Sequence, residues 1–307
     1  MRIKKNKKLL KIKFKMKKIS LKTDDGNISI LNIPGPNFDS PVLHWAHANG
    51  FNALTYLKLL KNLSNQFNVY AWDARGHGRT NLSSDFKGEL YKTFVKDFKK
   101  LLDFLFYKHG KKIICAGHSF GATLTLMSCY DNSEFISKII LADPVIFTNK
   151  VKYMSKIARF MNFKRPKNLY LSQNALNRRN RWKNLDEAYA FYKEKKFFLN
   201  WEKSCIKNYL KDGTKLTKNG IKLSCDPALE SMIFKESENL NLLKEIKNFP
   251  KPIYLYIAER NSPAFGKNYF KKNKNLKQMK LIKNSDHFFP LNKNKYFCDI
   301  IKKDLKT

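Results

Sequence analysis

Apolar and polar positions alternate along the first part of the chain, then fall into blocks that switch between short apolar runs and spacings of three and four. Ile12–Leu21 and Ile28–Ile33, on either side of Asp24-Asp25-Gly26, predict a β-hairpin that Pro34-Gly35-Pro36 ends. Apolar runs predict strands over Val42–Ala46, Asn68–Trp72, Lys112–Ala116 and Lys138–Ala142, and further strands over Pro252–Ile257 and Gln278–Ile282. Between them, helical spacing marks Leu54–Leu63, Tyr91–His109 (with Phe94, Phe98, Leu101, Leu102 and Leu105 on one face) and Phe120–Cys129, with Asn294–Lys303 as a final helix. His109 stands just before Gly110, the place of a helix C-cap. Strands that alternate with helices imply βαβ units, hence an α/β fold with a mostly parallel central sheet and helices on both faces.

The pattern breaks from about Phe147 to Asn248. This stretch is rich in lysine and aromatic residues, helical in spacing, and shows no buried parallel strand. An interruption of that length between two strands of one sheet is a unit in itself. The expected organisation is therefore a core over 1–146 and 249–307, with a helical cap over 147–248 inserted after the sixth strand. No internal repeat is visible.

Composition changes this picture little. With 43% hydrophobic and 14% aromatic residues, a substantial core is expected and global disorder is not. No apolar run approaches the roughly 18–20 residues of a membrane span. The formal charge of +36 invites an anionic partner. Its lysines are spread along the chain beside abundant asparagine, however, as A/T-rich coding would produce, so no specific nucleic acid is expected. Met1–Lys18 is basic but lacks the continuous apolar core of a secretory signal. The odd number of cysteines, five, with no C-x-x-C spacing, suits a reducing compartment, and the cytoplasm is the expected location.

The chemistry concentrates in Gly117-His118-Ser119-Phe120-Gly121. It fits G-x-S-x-G, and it lies between a predicted strand and a predicted helix, the context of a nucleophile elbow. Such a turn lifts the serine clear of the sheet, and glycines on both sides avoid collisions across it. Further segments stand at strand ends: His47-Ala48-Asn49-Gly50-Phe51, Asp73-Ala74-Arg75-Gly76-His77-Gly78-Arg79-Thr80 and Asp286-His287-Phe288-Phe289-Pro290-Leu291.

With these motifs the chain resembles the α/β-hydrolase superfamily. They match its H-G-x oxyanion loop, its D-x-R-G-H-G-x-S loop and its G-H-F-x-P-x-E segment, over about 42–300 with the cap excluded. The resemblance implies Ser119 as nucleophile and His287 as its base, since a serine hydroxyl needs an imidazole to take its proton. Many members carry the acid at the position held here by Asn261, which cannot bear the charge. A second family solution places it after the sixth strand, where Asp143 stands; Glu259 is the alternate, and a dyad without an acid stays open. For the oxyanion, the backbone N–H of Phe120 is one expected donor and that of Phe51 the other. Ala48 is an alternative for the second, and Asn49 could add a side-chain amide.

The Asp73–Thr80 loop reads as structural, with an Asp73–Arg75 ion pair. No metal cluster, P-loop or dinucleotide motif is present, so no cofactor and no metal are expected. Tyr153, Phe160, Trp182, Phe191, Tyr192, Phe198 and Trp201 are the expected pocket lining from the cap. The expected activity is serine-dependent hydrolysis of a small, apolar carboxylic ester. Amide, lactone, thioester and C–C bond cleavage keep the same serine and stay open. So does a hydrolase fold that only binds a ligand, or an anion-surface binder.

Overall fold

A computed structural model describes residues 16–86, 88–160 and 171–305, so Ile12–Lys15 of the expected first strand lie outside the described residues. The hairpin forms as β1 (Lys17–Thr23) and β2 (Gly26–Ile33), followed by β3 (Val42–Ala46). A 3-10 turn at Ala53–Tyr56 leads into α1 (Leu57–Leu63), and then come β4 (Asn68–Trp72), a two-residue β5 (Asn81–Leu82) and α2 (Leu90–His109). β6 (Ile113–His118) runs two residues further than its apolar stretch, directly into the turn before α3 (Phe120–Asp131), and β7 (Ile136–Ala142) follows. After the interruption come β11 (Ile253–Ala258), β12 (Leu276–Ile282), α10 (Phe289–Asn292) and α11 (Asn294–Asp304).

The main sheet has the order β1-β2-β4-β3-β6-β7-β11-β12, with β5 paired to β2. From β4 to β12 every neighbouring pair is parallel, whereas β1–β2 and β2–β4 are antiparallel. The central strands β3, β4, β6 and β11 are buried at every position, as a parallel sheet covered on both faces requires. Their alternate side chains divide between two cores. Leu43, Trp45, Val69 and Ala71 face α1 and α11, while Val42, Tyr70, Trp72 and Cys115 face α2 and α3. α2 ends at Gly110, whose φ of 60° is the left-handed cap that glycine adopts without strain.

The segment between β7 and β11 forms α4 (Asn149–Phe160), α5 (Leu171–Leu176), β8 (Arg181–Trp182), α6 (Leu185–Lys193), α7 (Lys203–Gly213), β9 (Thr214–Thr217), β10 (Gly220–Leu223), α8 (Pro227–Ser237) and α9 (Leu243–Asn248). It is not purely helical. β8, β10 and β9 make a small antiparallel sheet whose two- and four-residue strands are too short to show alternation. α7 fastens this segment to the core: Asn52 Nδ2 donates to Tyr209 O at 2.9 Å, and Asp212 pairs with Lys18 (2.8 Å) and Arg79 (2.7 Å). No helix among the described residues is long and apolar enough to cross a membrane.

Candidate active site

Ser119 sits at φ 57° and ψ −120°, a strained conformation held by the β6–α3 turn. The turn tolerates no side chain at its glycines. A Cβ on Gly117 would lie 2.4 Å from Gly121 O, and one on Gly121 would lie 2.3 Å from Ala46 O. Ser119 N–H donates to Ala142 O at 2.9 Å, which pins the elbow to the end of β7. The next residue there is Asp143, fully buried and also at positive φ (48°), and its own N–H donates to Tyr256 O at 2.7 Å.

His287 comes from the loop after β12, where Asp286 Oδ1 accepts Phe288 N–H at 2.9 Å and so tightens the turn. Ser119 Oγ and His287 Nε2 are 2.9 Å apart, and His287 Nδ1 and Asp143 Oδ2 are 2.6 Å apart. With the Asp143 carboxylate oxygen as acceptor, Nδ1 carries the hydrogen, and in a neutral ring Nε2 is then the nitrogen whose lone pair faces the serine hydroxyl. Asp143 Oδ1 accepts from Ser262 Oγ at 2.6 Å and from Ala258 N–H at 3.1 Å. Ser262 has no sequence signal beyond standing next to Asn261. Glu259, the alternate acid, points elsewhere: its carboxylate accepts Asn284 N–H at 2.8 Å.

The loop after β3 differs from expectation. Phe51 N–H closes a turn onto Ala48 O at 3.1 Å, Ala48 N–H donates to Tyr56 Oη at 3.2 Å, and Gly50 N–H faces His77 Nε2 at 3.1 Å. The Asn49 side-chain amide reaches away to Glu230 O at 3.0 Å. Among the described residues, the backbone N–H groups of Asn49 and Phe120 have no hydrogen-bond partner. Phe120 is the first residue of α3, so its N–H is one of the donors a helix leaves free.

A family model described as serine aminopeptidase, S33, matches residues 41–199, which hold β3 through α6 with Ser119 and Asp143 but not His287. The chain belongs to this family of α/β-hydrolases. It is 27% identical over 126 residues to the uncharacterized hydrolase YraK of Bacillus subtilis (strain 168), covering 39% of this chain and 45% of that protein, so it spans under half of that relative. Among solved structures, E-2-(acetamidomethylene)succinate hydrolase aligns with a TM-score of 0.75 at 15% identity, over 95% of this chain and 100% of that one. The Bacillus subtilis carboxylesterase CesB (YbfK) aligns with a TM-score of 0.59 at 17% identity, over 95% and 92%. At these identities the structural likeness establishes the fold alone.

The surroundings of this α/β-hydrolase site are aromatic. The Phe51 ring lies 5.4 Å from Trp201, 5.5 Å from Tyr209, 6.2 Å from Phe288 and 6.3 Å from Phe197. Of the expected lining residues, Trp201 reaches this cluster directly, and Phe198 and Tyr192 back it through Tyr209. Trp182 and Phe191 pack behind Tyr192, the first tilted and the second edge-on. Tyr153 is exposed on α4, and the Phe160 side chain lies outside the described residues. Phe197, Tyr209 and Phe288 were not singled out in the sequence, although Phe288 adjoins His287.

Two further histidines, His47 and His77, tie loops together. His47 Nε2 accepts Ala74 N–H at 2.9 Å, and His77 Nε2 also faces Cys225 Sγ at 3.2 Å, a link between the core and the segment above it. Burial depresses both, His47 to about 4 and His77 well below the ordinary histidine range, so both are neutral. The expected Asp73–Arg75 pair does not form. Arg75 bridges Asp97 and Asp25 at 2.7 Å each, while Asp73 accepts Ala53 N–H (2.8 Å) and Arg79 N–H (2.9 Å). Backbone donors need an acceptor under the loop more than the guanidinium needs that particular carboxylate. Burial lifts Asp73 to about 6.

Proposed function

We propose that this α/β-hydrolase cleaves a small carboxylic ester through an acyl-enzyme, with Ser119 as nucleophile, His287 as general base and Asp143 as the acid that orients it. The reading is carried by the single line from Ser119 Oγ through His287 to Asp143 Oδ2, at 2.9 and 2.6 Å. In this scheme Ser119 Oγ attacks the acyl carbon as its proton moves to His287 Nε2. The imidazolium then returns that proton to the leaving alcohol, and a water repeats the sequence to release the acid. Asp143 Oδ2 accepts from Nδ1–H throughout.

The oxyanion donors are the backbone N–H groups of Phe120 and Asn49. Asn49 replaces Phe51 in this role because the Phe51 N–H is engaged in the turn to Ala48 O. Each such donor is worth about 3 kcal/mol of barrier. The Phe51 ring instead joins Trp201, Tyr209, Phe197 and Phe288 as an apolar wall, which supports a small apolar acyl or alcohol group. The segment 147–248 acts as the cap that shields the acyl-enzyme. An amide substrate would use the same machinery, and the leaving-group preference decides between them.

The test is labelling by a fluorophosphonate probe, read by intact mass, together with hydrolysis of p-nitrophenyl esters of increasing chain length. Wild type should gain one probe mass and turn over short esters, whereas Ser119→Ala should do neither. A folded wild type inert to the probe and to every ester sinks the proposal.

A further inference from the structure

Three loops, each from the end of a different strand, must be held in register for the proposed chemistry. They are the loop after β3 with Asn49, the elbow after β6, and the loop after β12 with His287. A row of hydrogen bonds crosses all three. Ala48 N–H donates to Tyr56 Oη at 3.2 Å, Tyr56 Oη lies 2.7 Å from His118 Nδ1, and His118 Nε2 lies 2.8 Å from the main-chain oxygen of His287. Both side chains are fully buried.

The hydrogens in this row follow by elimination. A carbonyl oxygen only accepts, so His118 Nε2 carries a hydrogen. Burial, reinforced by the neighbouring His287, keeps His118 well below the ordinary histidine range, so the ring is neutral and Nδ1 is bare. Tyr56 O–H therefore donates to Nδ1, and the Tyr56 oxygen is left to accept Ala48 N–H. Every member is satisfied, and the donors all point one way, from the N–H of Ala48, the residue preceding Asn49, to the main-chain oxygen of His287.

Resting on the serine-hydrolase reading above, we propose that Tyr56 and His118 are positioning residues that lock the oxyanion loop and the base loop onto the nucleophile elbow. The geometry supplies the reason. His118 is the last residue of β6 and adjoins Ser119, so the elbow itself grips the backbone of its own base. Acyl transfer tolerates errors well below 1 Å, and loops from separate strands reach that only through contacts across the gap. A neutral ring also suits the place. The two imidazole centroids are 4.8 Å apart, and a charge on His118 would oppose the proton that His287 must accept.

The experiment compares wild type with Tyr56→Phe, His118→Leu and His118→Gln. It measures kcat and KM on p-nitrophenyl acetate, the rate of fluorophosphonate labelling, and the melting temperature. Gln supplies an N–H donor for the His287 carbonyl and an amide oxygen that can accept the Tyr56 O–H, and Leu restores neither. Tyr56→Phe and His118→Leu should lower kcat and labelling rate about 10- to 100-fold with KM within about twofold. His118→Gln should recover most of the rate lost in His118→Leu.

A purely structural role predicts the reverse, with rates per folded molecule unchanged or with Gln no faster than Leu, and either result overturns the proposal. A wild type that neither labels nor turns over removes the serine-hydrolase reading and the relay with it. A reactive wild type with indifferent variants removes the relay alone.

Discussion

Replacing Asp143 by asparagine should nearly abolish turnover while leaving the fold in place. The carboxylate has a divided environment: Oδ1 accepts from Ala258 N–H (3.1 Å) and Ser262 Oγ (2.6 Å), and Oδ2 faces His287 Nδ1 (2.6 Å). An amide can answer only one side. With its oxygen toward Ala258, whose N–H can only donate, its NH2 points at His287 and forces Nδ1 to become the acceptor. The hydrogen then moves to Nε2, which faces Ser119 Oγ and can no longer take its proton.

The opposite flip would set the NH2 against the Ala258 N–H at a fully buried position. The wrong tautomer is therefore the stable state, and the same change in serine proteases costs about 10⁴-fold in kcat, about 5 kcal/mol of barrier. Stability should fall little, because both donors to Oδ1 keep their acceptor. The assay is kcat on p-nitrophenyl acetate with a parallel melting curve, on Asp143→Asn and Glu259→Gln. A loss under about tenfold in Asp143→Asn, or a larger loss in Glu259→Gln, would refute the reasoning.

Other consequences follow from burial and packing. His44 and His47 are held by burial at about 3 and about 4, while in the unfolded chain they titrate near 6.5, so their contribution is present above pH 6.5 and lost as pH falls toward 4. Each should cost about 2 kcal/mol between pH 7 and pH 5, and Asp73, raised to about 6, returns about 1 kcal/mol over the same range. His77 and His118 act in the same direction as His44 and His47, so urea unfolding at the two pH values should show a net loss, and equal stability would contradict it.

Arg178→Met leaves the buried Glu230 carboxylate without its partner at 2.7 Å and should destabilise by about 3 kcal/mol in the same assay, with much of that regained in Arg178→Met/Glu230→Leu. Gly121→Ala drives a methyl group to 2.3 Å from Ala46 O and 2.5 Å from His47 O. Because both obstacles are backbone, it should cost about 1–3 kcal/mol and also slow fluorophosphonate labelling; labelling at the wild-type rate would count against that packing.

The elements of the sheet were legible because their signals are local. A strand such as Val42–Ala46, buried on both faces, must be apolar throughout, and α2 must place Phe94, Phe98 and Leu101 at helical spacing, so periodicity alone marks them. The sheet at β8, β9 and β10 left no comparable trace, since two to four residues cannot display a period. The Asp73–Arg75 pair was misjudged for another reason. Sequence shows which charges are near in the chain, but Arg75 finds Asp97 and Asp25 from other elements.

What the sequence determined by itself was the set of reactive groups and the turns that present them: G-x-S-x-G on a strand–helix junction, a histidine after the last strand, and Asp143 at a strand end. These depend on residue type and on neighbours a few positions away. Tertiary structure alone decided which of them meet. Ser119 and His287 lie 168 residues apart and Asp143 and His287 lie 144 apart, and only the strand order brings their loops together. It also decided that Phe51 offers its ring and Asn49 its free N–H, because the direction of a backbone N–H depends on the turn around it, here with Gly50 at φ 77°. Composition is silent on that direction, since every residue of the loop carries the same amide.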